Sequence, residues 1–311
     1  MIFRRNRLLL AILVSSVFMM LLFSRVDLRE LDLSRFQPVY AILAVMAYCC
    51  CILVRGTNLR ELAGIERRDQ LQNWMKLAAR HQFLFSLAPS GVGDLGFPAL
   101  ARHQIGLDVK SSVRLIALVR LRDAFALAVI AIAGLVVAAF HYHYLIPLLI
   151  AGAVLLYFLD DIVANISSLF ATKFPSSKLK EFLSELPDSS HFSWKRRTWR
   201  LFLTASSWLL ALLGMFLAFL SVGKLLSLGE LLLMLATLNL IGALAISIAG
   251  FGVAETGVAG VLVAFGDTVP EAAATALTAR PILLVCVLVA CGLIDASLSC
   301  SERYFNANAK R

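Results

Sequence analysis

Twice in this chain a glycine-rich run carrying one acid interrupts a long apolar stretch. Residues 86–96 read SLAPSGVGDLG and residues 247–257 read SIAGFGVAETG. Five of the eleven positions are identical (Ser86/Ser247, Ala88/Ala249, Gly91/Gly252, Val92/Val253, Gly96/Gly257), Asp94 falls opposite Glu255, and the displacement is 257 − 96 = 161 residues. Glycine and proline free backbone groups that hydrocarbon does not satisfy, so such a segment persists at membrane depth only when buried in protein or lining a wet cavity. Interrupted segments at corresponding positions of two halves point to the substrate site of a transporter. Tight packing through small residues is the alternative reading. The acid in each copy favours the first, because intramembrane carboxylates are costly.

Composition sets these breaks in a membrane. Hydrophobic residues make up 60% of the chain and charged ones 16%, and the mean hydropathy is +0.83, values outside the soluble range. The longest polar connection, residues 173–200, has 28 residues, too few for a separate globular domain. The chain therefore reads as a single transmembrane domain, 1–311, with pseudo-repeats at about 1–140 and 141–311. A net charge of +9 fits the bias of Lys and Arg toward the cytoplasmic side, so the expected partners are anionic membrane lipids and not nucleic acid. Cys49, Cys50 and Cys51 are adjacent, and Cys286, Cys291 and Cys300 lie in or just beyond another apolar run. They read as small buried hydrophobes and not as a disulfide framework, with palmitoylation of the first group as a minor alternative.

Charge bias orders the spans. Arg4, Arg5 and Arg7 precede a retained first span at 8–23, the mixed charges of 25–35 lie outside, and 38–54 returns to a base-rich stretch beginning at Arg55. Residues 71–105, breaking at Pro89, enter and leave from the cytoplasm as a re-entrant hairpin. Residues 124–140 cross outward. The turn at His141, Tyr142, His143 and Tyr144 reads as interfacial aromatics in preference to a metal site. Residues 145–158 return, ending near Asp160 and Asp161 or continuing to Phe170, with the two acids read as an interfacial cap in preference to part of an ion path. Seven bases place 173–200 in the cytoplasm, 201–222 crosses out, 225–248 leads into the second break, and 281–298 is the last span. Three full spans separate the two breaks, so the hairpins enter from opposite faces. The expected fold is all-α: a polytopic integral membrane protein of about six full transmembrane helices plus two opposed re-entrant hairpins in an inverted-topology repeat. At the same displacement the second span maps onto the fifth and Arg120 lands within one residue of Arg280. Both termini are expected in the cytoplasm.

Enzyme signatures are thin. Gly91-Val92-Gly93 lacks the rest of a nucleotide loop, and no HExxH or CxxC occurs. No catalytic residue, metal or cofactor is expected. Bases do flank the breaks: Arg102 and His103 after the first, Arg120 and Arg122 at the mouth of the third span, Arg280 at the mouth of the last. A guanidinium makes bidentate contacts to phosphate oxygens, which suits a phospholipid or polyprenyl-phosphate head. For Arg122, interfacial snorkelling or an internal pair with Asp123 is the favoured reading. For Arg120 a structural pair with Asp123 stands beside the headgroup role.

Pro89-Ser-Gly-Val-Gly-Asp94, Ala101-Arg102 and Arg120-Leu-Arg-Asp123 resemble the pattern P-G-G-x-G-E, a following Arg, and R-x-x-D at the start of a span. Residues 247–255 are similar to a later S-x-x-G-x-G-x-R-E motif. These are motifs of the lysylphosphatidylglycerol synthase transmembrane, or flippase-like, family of bacterial and archaeal membrane proteins, and the resemblance covers essentially the whole chain. It implies moving or presenting lipid or polyprenyl-linked molecules across the bacterial inner membrane. Carried over by motif position, the family-like residues are Pro89, Gly91, Gly93, Asp94, Arg102, Arg120 and Asp123, then Gly250, Gly252 and Glu255. Asp94 stands where Glu is usual and Ala254 where Arg is usual. Without a soluble aminoacyltransferase domain, synthesis of an aminoacylated lipid is not expected.

The combined expectation is translocation of an anionic phospholipid or polyprenyl-linked lipid. Arg102, Arg120 and Arg280 hold the headgroup, and Asp94 and Glu255 position the bases or carry a proton. A non-transporting subunit that scaffolds a lipid-modifying enzyme or glycosyltransferase is the alternative. A membrane-embedded transferase acting on a polyprenyl phosphate is a weaker one.

Overall fold

The computed structural model describes residues 36–64, 71–88, 92–173, 193–244 and 250–308, together with residues 13, 15–20, 22 and 24. Among the described residues there is no strand. Helices α1 (Pro38–Ala63), α2 (Leu71–Leu87), α3 (Val92–Ile105) and α4 (Val109–Ala138) are followed by a 3-10 turn at Tyr142–Tyr144. Helices α5 (Leu145–Lys173), α6 (Trp194–Leu220), α7 (Leu228–Leu244), α8 (Val253–Ala264) and α9 (Val269–Asn308) complete the chain. Five helices are long and apolar enough to cross a membrane, at Pro38–Ala63, Val109–Ala138, Tyr142–Val163, Trp194–Leu220 and Val269–Ser301. This is a polytopic all-α membrane protein. Most of the expected first span, the segment 25–35, residues 174–192, and Pro89, Gly91 and Ser247 of the breaks lie outside the described residues.

Local chemistry sets the ends of these helices. Pro38 occupies the first turn of α1, where its missing N–H costs nothing, and Gly64 closes that helix at φ +66°. The Asp108 carboxylate accepts from the Ser111 amide at the start of α4. Ser227 and Glu230 cap α7 reciprocally: Glu230 Oε2 accepts from the Ser227 amide at 2.7 Å, and Ser227 Oγ accepts from the Glu230 amide at 3.3 Å.

Three sequence expectations need correction. The third span does not open at 124: α4 is continuous from Val109, so Arg120 and Arg122 sit well inside it and not at its mouth. Paired charges are tolerated there, since Arg120 bonds Asp94 and Arg122 bonds Asp160. Nor does the last span begin at Pro281. α9 runs through that proline from Val269, as membrane helices do where neighbouring protein satisfies the freed carbonyl. Finally, Asp160 is not a free interfacial carboxylate: near the end of the apolar span Tyr142–Val163, in a helix that continues to Lys173, it lies between two buried arginines.

Helices α6–α9 repeat α1–α4 in order, and α5 joins the two sets. Val253 opens α8 as Val92 opens α3, 253 − 92 = 161 residues earlier. Within each set the two short helices pack on each other, α2 on α3 and α7 on α8. Across the sets the packing is exchanged: α2 rests on α9, α7 rests on α4, and α1 packs along α6. Three helices of crossing length, α1, α4 and α5, precede α6, so α1 and α6 run in opposite directions.

Close backbone approach holds the first hairpin. A Cβ at Gly93 would stand 2.7 Å from Phe85 Cα, whereas one at Gly96 meets nothing nearer than Leu84 Cδ1 at 3.4 Å. Gly93→Ala is therefore expected to destabilise the protein by about 1–3 kcal/mol through overpacking, and Gly96→Ala to be neutral or slightly stabilising. Thermal unfolding of both variants in the same detergent, followed by size-exclusion fluorescence, checks this; equal behaviour would refute the close contact.

Candidate functional site where the hairpins meet

The two hairpins converge on one cavity of about 140 Å³. Ser86 and Ala88, at the end of α2, line it from the first break, and Gly250 and Ala254 line it from the second. Helices α1, α6, α7 and α9 supply the remaining walls, with Tyr48, Arg55, Trp208, Asn239 and Arg280 as their polar contributions. Gly250 has φ +75°, a conformation other residues rarely adopt, and a Cβ there would lie 3.9 Å from Arg280 Nη2.

The lining is rich in donors. Arg55 Nη1 donates to Gln82 Oε1 at 2.9 Å, Gln82 Nε2 donates to Ser86 Oγ at 3.3 Å, and the Arg55 guanidinium lies 5.3 Å from the Trp208 ring centre. Trp208 is 4% exposed, and its indole N–H meets no acceptor among the described residues. Arg280 Nε is buried and likewise unmatched, and no ion pair or hydrogen bond is made by the Arg280 guanidinium among the described residues. Among the described residues no carboxylate lines the space. Unmatched buried donors cost free energy, so this pocket is electrostatically incomplete without an acceptor.

The expected headgroup residues are distributed unevenly around it. Arg280 faces the cavity. Arg120 does not line it: its Nε donates to Asp94 Oδ2 at 2.8 Å and its Nη2 to Asp94 Oδ1 at 2.6 Å. Asp94 Oδ1 also lies 3.0 Å from His81 Nε2, and Asp123 is 3.8 Å from Arg120. The Arg120 guanidinium sits 4.3 Å from the centre of the Phe85 ring, with Phe85 between it and the cavity it helps to line. This cluster ties α2, α3 and α4 together. Arg102 is exposed on α3 and outside the cavity. Gly93 serves the hairpin contact.

Glu255 occupies the position equivalent to Asp94 but does different work. It is 2% exposed, and its Oε2 accepts from the Gly252 amide at 2.6 Å, capping α8 where Gly252 turns at φ +81°. A Cβ at Gly252 would lie 2.7 Å from Ser15 O, so the first helical segment closes over this turn. The homologous acid–base pairs thus differ: Asp94–Arg120 is joined, while Glu255–Arg280 is apart.

A second polar cluster lies away from the cavity. Arg122, 3% exposed, donates to Asp160 Oδ1 at 2.9 Å. Arg200, 2% exposed, donates to Asp160 Oδ2 at 3.1 Å and to the Glu61 carbonyl at 2.7 Å. Arg122 therefore pairs with Asp160 and not with Asp123. His141 and His143 stand on an exposed aromatic turn, ring centres 5.9 Å apart. Among the described residues no group of three potential metal ligands forms.

Sequence reading missed Arg55 and Trp208. Arg55 was counted as the first cytoplasmic base after a span ending at 54, but α1 continues to Ala63 and carries Arg55 on the face of Tyr48 and Ile52. The spacing i, i+4, i+7 was the available signal. Trp208 had none, since its importance comes only from what surrounds its ring.

Fold and site together define a multi-pass membrane protein whose two hairpins border a cavity lined by two arginines. The family model for the lysylphosphatidylglycerol synthase TM region matches residues 8–291, and the chain belongs to that family. That membership sets it among membrane proteins of lipid-related function. Comparison with curated proteins gives no match.

The Asp94–Arg120 pair should behave as one unit. In a double-mutant cycle of Asp94→Asn and Arg120→Gln, the stability losses are expected to be non-additive by about 1 kcal/mol, a modest value because both groups are partly exposed. Thermal unfolding of the four proteins measures it, and strict additivity would contradict the bidentate contact.

Proposed function

We propose that the protein translocates an anionic lipid across the bacterial inner membrane, passing the headgroup through the cavity between the hairpins. The observation that carries this reading is a described lining without a carboxylate, in which Arg280 Nε and the Trp208 indole N–H meet no acceptor and Arg55, donating to the neutral Gln82 side chain, adds a second guanidinium, at a point reached by both broken segments. An arginine fork is suited to phosphate oxygens, and an intramembrane ionisable group without a partner is a substrate-site feature. The headgroup role moves from Arg102 and Arg120 to Arg55 and Arg280. Transport is proposed in preference to catalysis because the lining offers binding groups and no nucleophile-base pair.

The unequal acid–base pairs supply a means of alternation. Two topologically inverted halves have exchangeable conformations, so the joined pair of one half and the separated pair of the other define two end states. In the state described, Arg280 is free to hold an anion while Arg120 is occupied. In the exchanged state Glu255 engages Arg280, and Asp94 releases Arg120 beside Phe85. The asymmetry supports rocking of one half against the other about a fixed site.

The test is a dithionite-quench assay on purified protein in liposomes carrying fluorescent anionic and zwitterionic lipids. Arg280→Gln and Arg55→Gln are expected to slow movement of the anionic lipid about tenfold or more, the effect of losing one charge-assisted hydrogen bond. Lys195→Gln, exposed at the start of α6, is expected to leave it unchanged. Anionic lipid movement in the wild type no faster than in empty liposomes would shift the function to a non-transporting subunit of a lipid-modifying assembly.

A further inference from the structure

The cavity also discriminates among anions. Its charged lining consists of Arg55 and Arg280, with the unmatched Trp208 N–H beside them and no carboxylate. The carboxylates on neighbouring elements are engaged elsewhere: Asp94 with Arg120 and His81, Asp123 beside Arg120, Glu255 on the Gly252 amide. An ammonium group on a headgroup would therefore enter a space with two fixed cations and no carboxylate among its described lining residues. A volume of about 140 Å³ is close to that of engineered protein cavities that accept a benzene-sized guest, room for a phosphate with its ester oxygen.

A phosphodiester brings one negative charge to these two guanidinium groups. A terminal phosphomonoester brings about 1.5 to 2 near neutral pH, with three acceptor oxygens, and so matches both the charge and the three donor groups. Building on the reading of this cavity as an anionic-lipid site, we infer that it selects lipids ending in a phosphomonoester, the chemistry shared by phosphatidate and polyprenyl phosphates, and rejects aminoacylated and zwitterionic headgroups. Trp208 is then a specificity-determining residue: its indole N–H reads the third oxygen that a diester lacks as a free acceptor.

Purified full-length protein in detergent, titrated with short-chain phosphatidate, farnesyl phosphate, phosphatidylglycerol, lysyl-phosphatidylglycerol and inorganic phosphate, tests this by native mass spectrometry and thermal shift. The two phosphomonoester lipids are expected to bind about tenfold more tightly than phosphatidylglycerol, with the lysyl lipid weakest; the stronger of the two identifies the lipid backbone. Trp208→Phe, which keeps the ring, is expected to reduce phosphomonoester affinity several-fold and leave phosphatidylglycerol affinity unchanged. Arg280→Lys, which keeps the charge and guards against a misfolded variant, is expected to retain part of the binding. Phosphatidylglycerol or the lysyl lipid binding as tightly as phosphatidate, with sensitivity to Arg280→Gln, would overturn the selectivity and leave the anionic-lipid site standing. Absence of any Arg280-dependent binding of lipid anions would overturn both. Inorganic phosphate matching the lipids would assign the site to a free anion and remove the lipid from it.

Discussion

A helix that stops at membrane depth leaves its last carbonyls and first amides without water, and everything else in this protein answers that constraint. The two hairpins each contain such a stop, between α2 and α3 and between α7 and α8. Neither is left facing lipid alone. Each rests on the long final helix of the opposite set, α2 on α9 and α7 on α4, so the halves are built around each other's weak points. Glycine permits the necessary approach at Gly93, where α3 meets the backbone of α2, and Glu255 supplies an acceptor for an amide at the second stop.

Once the breaks are enclosed, electrostatics sorts the arginines into two kinds. Arg122 and Arg200 are buried among the helices, Arg120 is half-buried, and all three have carboxylates, which ties α3 to α4 and both α4 and α6 to α5. Removing one partner of such a pair leaves an uncompensated charge, so these contacts fix geometry more than they add stability. Arg55 and Arg280 are of the second kind, lining a small space whose described walls carry no carboxylate. The contrast within one chain makes the second kind informative: acids are available in this protein and are directed elsewhere.

Much of this was legible in the sequence, for identifiable reasons. The glycine-rich repeat is visible as an internal likeness because both copies fall between a pair of short helices, and charge bias gives the order of spans because topology is set by Lys and Arg outside the membrane. Span ends were less legible. Arg120, Asp123, Asp160 and Pro281 looked like boundaries because a lone charge or proline ends a lipid-facing helix; each is instead interior to a helix, and Arg120 and Asp160 are made tolerable by partners 26 and 38 residues away in the chain. The same blindness hid the site. Arg102 and Arg120 were singled out by closeness to the break in sequence, yet one is exposed and the other is filled by Asp94, while Arg55 came from a helix read as already finished. Pairing across long separations decides which cation is available, and a single sequence does not contain it.

Glu255 accepts the amide that begins α8. For this carboxylate to reach toward Arg280 it has to let go of Gly252, and the first turn of α8 loses its cap in the same act. Charge and helix length are therefore a single variable at this point in the fold: neutralising Arg280 from within the protein means shortening a helix, while an incoming anion neutralises it and leaves the helix whole.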